Sequence, residues 1–160
     1  MRKNGFTLKS KACDRERAFT LIEMLVVMAI IGILVTISAF ALQGARSGAR
    51  DSRRKADIET IRVALELYRA DCNGYPSSVS FGGSLKGNDS VPGCGAANVY
   101  LPQVPQDPQN PTKTYTYAQS GNGYSVCASL ENSPVNASDL TSVCGSCGSG
   151  QICNYMTTNP

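Results

Sequence analysis

Residues 19–42 read FTLIEMLVVMAIIGILVTISAFAL and carry one charged side chain, that of Glu23. An α-helix rises ~1.5 Å per residue, so a helix over this stretch would be ~36 Å long and would exceed the ~30 Å hydrocarbon core of a bilayer. The stretch contains no proline and is longer than the apolar core of a secretory signal peptide. It therefore predicts a helix that spans a membrane.

Glu23 is the unusual residue of this segment. A carboxylate near the membrane interior costs about 2.5–3.5 kcal/mol on insertion scales, and less near the interface. Glu23 lies one turn inside the apolar stretch, so only part of this cost applies. From the residues alone two interpretations stay open: the carboxylate reaches back to the lipid headgroups, or it awaits a cationic partner.

The charges on either side of the segment leave its orientation open. Residues 1–18 hold six of the 15 basic side chains, which favours a cytoplasmic N-terminus. Five more basic residues follow between positions 46 and 55, so the two flanks are nearly balanced. Without residues 1–18 the chain is close to neutral, and we expect no basic surface for nucleic acid.

The cysteines decide the orientation. Six of them follow the apolar segment: Cys72, Cys94, Cys127, Cys144, Cys147 and Cys153. An even number beyond a membrane segment indicates disulfides in an oxidising, extracytoplasmic compartment, and a small domain poor in Leu and Ile needs such cross-links. The sequence does not choose among the pairings. A zinc site or redox pair that uses Cys144 and Cys147 is less favoured, because the chain has no histidine.

The helix is expected to continue beyond the membrane. Apolar residues recur at three- and four-residue steps up to Cys72, and residues 73–76 read NGYP, which is typical of a helix end. Asp51 with Lys55, and Arg62 with Glu66, have the i,i+4 spacing of ion pairs on the solvent side. The glycines at positions 44 and 48 leave two interpretations open, a close contact between helices or a flexible elbow.

The remainder predicts a loop followed by a small sheet. Residues 77–111 are rich in Gly, Ser and Pro and indicate a long loop. Residues 114–118 and 124–130 alternate like strands on either side of a GNG turn, which predicts a hairpin able to cover one face of the helix. A third strand is expected nearer the C-terminus, in a polar tail held by its cysteines.

Residues 18–25 read AFTLIEML and closely resemble the start of type IV pilins and type II secretion pseudopilins. In that family a short basic leader precedes the Phe-Thr-Leu-Ile-Glu sequence and an apolar helix. The resemblance implies that prepilin peptidase cuts between Ala18 and Phe19, removes residues 1–18 and methylates the new amino group of Phe19. It also implies that Glu23 pairs with the N-terminal amine of a neighbouring subunit during assembly, which favours docking in register.

One position departs from the family pattern. The family nearly always has glycine before the cut, and this chain has Ala18, the closest substitute in size. A rival site at Gly5-Phe6 has the glycine, but lysines follow where the apolar helix should begin, so we reject it. Cleavage after Ala18 also removes Cys13 and leaves an even number of cysteines.

The resemblance implies an α+β, pilin-like fold: a long N-terminal helix whose outer half packs on a small antiparallel sheet, with a disulfide-stapled C-terminal loop. Residues 1–18 would be the leader, residues 19–42 the transmembrane and filament-core helix, and residues 43–160 the extracytoplasmic domain, with the helix continuing to about residue 72. The tyrosines would cover a thin core.

The expected function is that of a structural subunit that polymerises into a type IV pilus-like filament or a type II secretion pseudopilus. It would be stored in the inner membrane, handled by prepilin peptidase and inner-membrane assembly machinery, and end in a periplasmic or extracellular filament. We do not expect an enzyme, because no phosphate loop, carboxylate pair or nucleophile–base pair stands out. The alternative from another class is a single-pass membrane protein whose disulfide-rich binding ectodomain never polymerises.

Secretion pseudopilins often bind calcium through an acidic C-terminal loop, and the resemblance raises that possibility here. The matching region has Asp139 as its one acid, with Asn132, Asn136 and Ser138 nearby. These are few charged ligands for Ca²⁺. We therefore expect neither calcium nor another metal, and we expect the cysteines to hold the loop instead.

Overall fold

The structure, a computed structural model, describes residues 19–133 and 138–159. The leader, with Cys13 and Ala18, lies outside the described residues, and so does Asn136. The expectations that concern them stay predictions. The elements in chain order are α1 (Leu21–Cys72), β1 (Leu85–Lys86), β2 (Val99–Leu101), β3 (Thr116–Ser120), β4 (Gly123–Ala128), α2 (Thr141–Cys144) and β5 (Tyr155–Thr158). The α+β, pilin-like architecture expected from the sequence is confirmed.

The chain divides into two compact units, residues 1–41 and residues 42–160. The described part of the first unit is the beginning of α1, and its side chains are exposed throughout. Among the described residues, α1 is the one helix long and apolar enough to cross a membrane. Exposed apolar side chains in water are costly, at roughly 25 cal/mol per Å², so this segment needs lipid or other protein around it.

The second unit contains a three-stranded antiparallel sheet in the order β3-β4-β5. β3 and β4 form the expected hairpin, with Ser120 opposite Gly123 and a two-residue turn between them. Gly121 has a φ of 55°, which suits the tight turns that join antiparallel strands. β5 pairs with the other edge of β4, placing Tyr155 opposite Ala128, and supplies the expected third strand.

The segment from residue 77 to residue 111 differs from the predicted continuous loop. It contains β1 and β2, which pair in an antiparallel manner with Leu85 opposite Leu101. Strands of two and three residues are too short to show an alternating pattern, so periodicity does not reveal them.

The core of the second unit uses the apolar face of α1 that the spacing predicted. Ile58, Ile61 and Leu65 are all at most 1% exposed, and they share one cluster with Val126 of β4 and Val104 of the preceding segment. Burying each such aliphatic side chain contributes about 1.5–3 kcal/mol. The predicted apolar face is therefore confirmed.

The helix ends where it was predicted to end, and an asparagine closes it where a glycine would be usual. α1 ends at Cys72, and the N–H of Asn73 donates to the carbonyl of Arg69 at 2.9 Å. Asn73, with a φ of 55°, adopts the left-handed conformation for which glycine is the usual residue at a helix end. Asparagine tolerates this conformation better than most residues, because its short side chain bonds locally.

The two predicted ion pairs on α1 are wrong. Asp51 is buried and bonds to Arg54 and to the segment after β4, while the Lys55 ammonium lies 5.8 Å from the ring centre of Tyr155. Arg62 pairs with Glu59, one turn earlier in the helix. Asp51 and Arg62 thus pair at i,i+3 and not at i,i+4, and Asp51 also binds residues after β4, about which helical spacing carries no information.

Tyrosine hydroxyls from outside the helix reach several of its acids. Tyr115 donates to Asp57 at 2.9 Å, and Tyr100 donates to Asp71 at 3.0 Å. Glu66 accepts from two tyrosines, Tyr75 and Tyr124. These bonds fix the position of the loops and the sheet along α1, so these helix acids take part in the packing and do not form a solvated face.

Candidate functional site

The segment on which assembly was predicted to depend lies at the start of α1. Phe19 is 71% exposed, and Thr20 immediately precedes the helix. The Thr20 side-chain Oγ1 and carbonyl oxygen both accept from the N–H of Glu23, at 3.3 and 3.1 Å. A threonine in this position satisfies a free helix N–H group, as an N-cap residue does. Glu23 is thereby held in the first helical turn.

The Glu23 carboxylate is exposed, and the ion pairs found between described residues do not include it. A negative charge in the first turn interacts favourably with the helix dipole. The carboxylate is thus accessible to a cation from another molecule. Ala18, which precedes the predicted cut, lies outside the described residues, and the roles of Ala18, Phe19 and Glu23 stay predictions.

No described residue of the same copy packs against the glycines of α1. A Cβ atom added at Gly32, Gly44 or Gly48 would meet nothing within 4 Å. The helix runs unbroken through the last two of these positions. A glycine inside a helix costs about 1 kcal/mol relative to alanine, and the described contacts do not compensate for that cost.

Three disulfides join the six cysteines that follow the apolar segment. The pairs are Cys72–Cys94, Cys127–Cys144 and Cys147–Cys153. The Cα atoms of the pairs are 4.7, 6.2 and 5.2 Å apart, within the usual range for disulfides. The first pair ties the end of α1 to the loop before β2, the second ties the C-terminal tail to β4, and the third closes a short loop within that tail.

The second unit also contains a buried arginine that the sequence did not reveal. The Arg54 side chain is 0% exposed and lies on α1. Its guanidinium donates to both oxygens of Asp107, at 2.7 and 3.1 Å, and to Asp51 at 2.7 Å. Burial disfavours its charged form, but the hydrogen bonds that it donates to these carboxylates outweigh that effect, so the pKa of Arg54 is raised.

The same cluster holds the chain after β4. The backbone N–H groups of Glu131 and Asn132 donate to the two oxygens of Asp51, at 2.9 and 2.8 Å. Burial raises the pKa of Asp51, but these two donors and Arg54 overcome that effect, and the net shift is downward. The Glu131 carboxylate accepts from Arg50 at 2.7 Å and also from Arg54, which together lower its pKa to about 2.

Lys113 completes the cluster from the side of β3. It is 9% exposed, and its ammonium donates to the carbonyl oxygen of Ser129 at 3.1 Å. Burial and the nearby positive charge of Arg54 lower the pKa of Lys113. The i,i+3 spacing of Asp51 and Arg54 indicates that these two side chains can pair on the helix. Nothing in the sequence indicates that Asp107 and Glu131 join them.

Comparison with known proteins gives two family matches. Residues 13–39 match the Prokaryotic N-terminal methylation motif, and residues 41–138 match Type II secretion system (T2SS), protein G. The first match includes the predicted cut and Glu23, and the second covers more than half of the chain.

Several relatives carry the name type II secretion system core protein G. The chain is 34% identical to the one from Pectobacterium carotovorum subsp. carotovorum over 59% of its own length and 62% of that protein. It is 33% identical to the Escherichia coli K12 protein over 61% and 70%, and 31% identical to the Aeromonas hydrophila protein over 67% and 78%. The chain thus spans slightly less than two thirds of the Pectobacterium protein.

No solved structure matches the chain significantly. The two family matches follow each other along the sequence and agree with the apolar N-terminal helix, the small antiparallel sheets and the disulfides. The chain therefore belongs to the type II secretion system protein G family.

Proposed function

We propose that this chain is the structural subunit of a type II secretion pseudopilus and not an enzyme. Its relatives are named as core proteins of that secretion system. The chain would be anchored in the inner membrane by residues 19–42, with its second unit in the periplasm. Prepilin peptidase would cut between Ala18 and Phe19 and methylate Phe19, and the mature subunits would then polymerise. The family match favours the pseudopilus over a surface pilus.

The observation that carries this proposal is the position of Glu23. It is the one charged residue in a fully exposed apolar helix segment, and it lies four residues after the predicted new N-terminus at Phe19. An amine from a neighbouring subunit would neutralise it in a medium of low dielectric constant. A neighbour docked out of register would leave both charges unpaired at a cost of several kcal/mol, so the pair would select one register.

The glycines of α1 support contact between copies. Gly44 and Gly48 form a GxxxG spacing, and among residues 19–133 and 138–159 of one copy no neighbour requires them to lack a side chain. Small residues at this spacing let two helices approach closely. Packing of α1 from one subunit against α1 of the next would offset the cost of glycine in a helix.

The disulfides support a periplasmic second unit. Basic residues are nearly equal in number on the two sides of the apolar segment, so the positive-inside rule does not choose the orientation. Disulfides form and persist in oxidising compartments such as the periplasm, and the second unit contains three of them.

The test replaces Glu23 by glutamine in the full-length chain and compares Glu59→Gln, an exposed acid later on the same helix, as the matched control. We expect Glu23→Gln to insert into the inner membrane normally but to give no filaments and no ladder of cross-linked subunits. Glu59→Gln should assemble like the wild type. Normal assembly of Glu23→Gln would contradict the proposal and favour the alternative, an anchored ectodomain that never polymerises.

A further inference from the structure

The donors in the C-terminal loop do not fit the calcium ion that the resemblance to secretion pseudopilins implies. Asp139 is the one acid among residues 138–159, and its Oδ1 already accepts the N–H of Thr141 at 2.9 Å. Ca²⁺ takes six to eight oxygen ligands, several of them usually from carboxylates. In the part of the chain that the structure describes, no group of three or more His, Cys, Asp or Glu side chains is placed to hold a metal ion.

Three carboxylates do converge in the second unit, but around a guanidinium group. Arg54 has five N–H donors, and the structure gives them five oxygen contacts. Nε and Nη2 bind Asp107, Nη1 binds Asp51 and Glu131, and Nη2 also donates to Gln109 at 2.8 Å. The donors of this buried cation are therefore matched by oxygen acceptors on all its sides.

The acceptors come from three separate parts of the chain. Asp51 lies on α1, Asp107 in the segment before β3, and Glu131 in the segment after β4. Asp51 then binds the backbone N–H groups of Glu131 and Asn132. The cluster thus joins the helix, a loop and the beginning of the tail, which is the structural role that a bound metal ion often has.

The charges of the cluster leave no place for an additional cation. Three cations, Arg50, Arg54 and Lys113, face three anions, so the formal charges cancel. A divalent ion would add two uncompensated positive charges to a largely buried group, which is unfavourable.

We propose that Arg54 is the resident cation of this chain, holding the start of the C-terminal tail on α1 in place of a metal, and that the second unit folds independently of calcium. This proposal does not depend on polymerisation. It concerns the folding of a single copy, and it stands or falls separately from the pseudopilus proposal.

The experiment uses the full-length, oxidised chain in detergent micelles. Wild-type thermal unfolding is measured with Ca²⁺ and with EGTA, and the exchange of the amide hydrogens of Glu131 and Asn132 is followed in Arg54→Met. Arg53→Met, whose side chain is 73% exposed, is the matched control. We expect the two wild-type melting temperatures to agree, Arg54→Met to exchange these amides at least about tenfold faster, and Arg53→Met to behave like the wild type.

Either of two results would overturn the proposal: a clear loss of wild-type stability in EGTA relative to Ca²⁺, or unchanged amide protection in Arg54→Met. If Arg54→Met does not fold, Arg54→Lys takes its place. Lysine keeps the charge but lacks the planar fork of donors, so we expect faster exchange at Glu131 and Asn132 in this variant as well. Wild-type protection in Arg54→Lys would then overturn the proposal.

Discussion

The hydroxyl group of Tyr124 on β4 donates a hydrogen bond of 3.1 Å to the carboxylate of Glu66 on α1. Tyr75, just beyond the helix, donates to the same carboxylate at 3.0 Å, and the two rings pack edge to face with their centres 4.6 Å apart. Burial and the Glu66 carboxylate raise the pKa of Tyr124, so its hydroxyl stays protonated and remains a donor. One helix acid thus fixes both the sheet and the chain after the helix.

We therefore expect Tyr124→Phe to destabilise the protein. The change removes one donor to a carboxylate that keeps its other partner, and a hydrogen bond to a charged group contributes about 1.5–3 kcal/mol. Urea unfolding in detergent measures the difference. Tyr155→Phe is the control, because Tyr155 is a partly buried tyrosine that contacts the Lys55 ammonium through its ring face. Equal stabilities for Tyr124→Phe and Tyr155→Phe would contradict the prediction.

The stability of the second unit should fall in acid. Hydrogen bonds from Arg50 and Arg54 lower the pKa of Glu131 from 4.5 to about 2. A carboxylate with a lower pKa in the folded state contributes its full stability above the unfolded pKa, and that contribution disappears as the pH falls towards the folded pKa. We expect the free energy of unfolding to decrease between pH 4.5 and about 2.

Glu131→Gln isolates this effect. The amide cannot ionise, so the variant should be less stable than the wild type at neutral pH and should show a smaller loss across that acidic window. Urea unfolding at several pH values measures both quantities. Parallel pH profiles for the two proteins would show that Glu131 does not carry the acid sensitivity.

The sequence predicted the parts of the fold that depend on local repetition. The apolar face of α1, with Ile58 and Leu65, repeats every three or four residues, and the β3–β4 hairpin alternates around its turn. The ion-pair cluster escaped prediction because Arg54 lies 53 residues from Asp107 and 77 from Glu131. Contacts at that separation depend on how the elements pack, and helical spacing describes only neighbours within one turn.

The sequence did not predict the disulfide pairing, for the same reason. With the pairing known, the stability that each disulfide contributes can be ranked. Replacing both cysteines of a pair by serine should cost more for Cys72–Cys94, which closes 22 residues, than for Cys147–Cys153, which closes six. The longer loop loses more entropy in the unfolded chain when it is closed, and the difference is about 1 kcal/mol. Urea unfolding of the two double variants measures it, and the reverse order would contradict the entropic explanation.

The glycines of α1 allow stability and assembly to be separated. A Cβ atom at Gly44 or Gly48 would meet none of the described atoms within 4 Å, so Gly44→Ala and Gly48→Ala should each stabilise the isolated helix by up to about 1 kcal/mol. If two copies of α1 approach closely there, the added methyl groups should reduce filament yield. Ser52→Ala, an exposed change on the same helix, is the control and should leave the yield unchanged. Normal filaments from both glycine variants would argue against a close contact at these positions.

The residue before the predicted cut provides a test of processing. The family pattern has glycine where this chain has Ala18, and the larger side chain should slow the peptidase. We expect Ala18→Gly to be processed faster than the wild type in a pulse-chase experiment, and N-terminal sequencing of the product to begin at Phe19. Gly5→Ala alters the rival site and should change neither rate nor product. The pairing of Glu23 requires an N-terminal amine four residues upstream of it. A mature protein that begins at Phe6 would therefore contradict both the predicted cut and the predicted pairing.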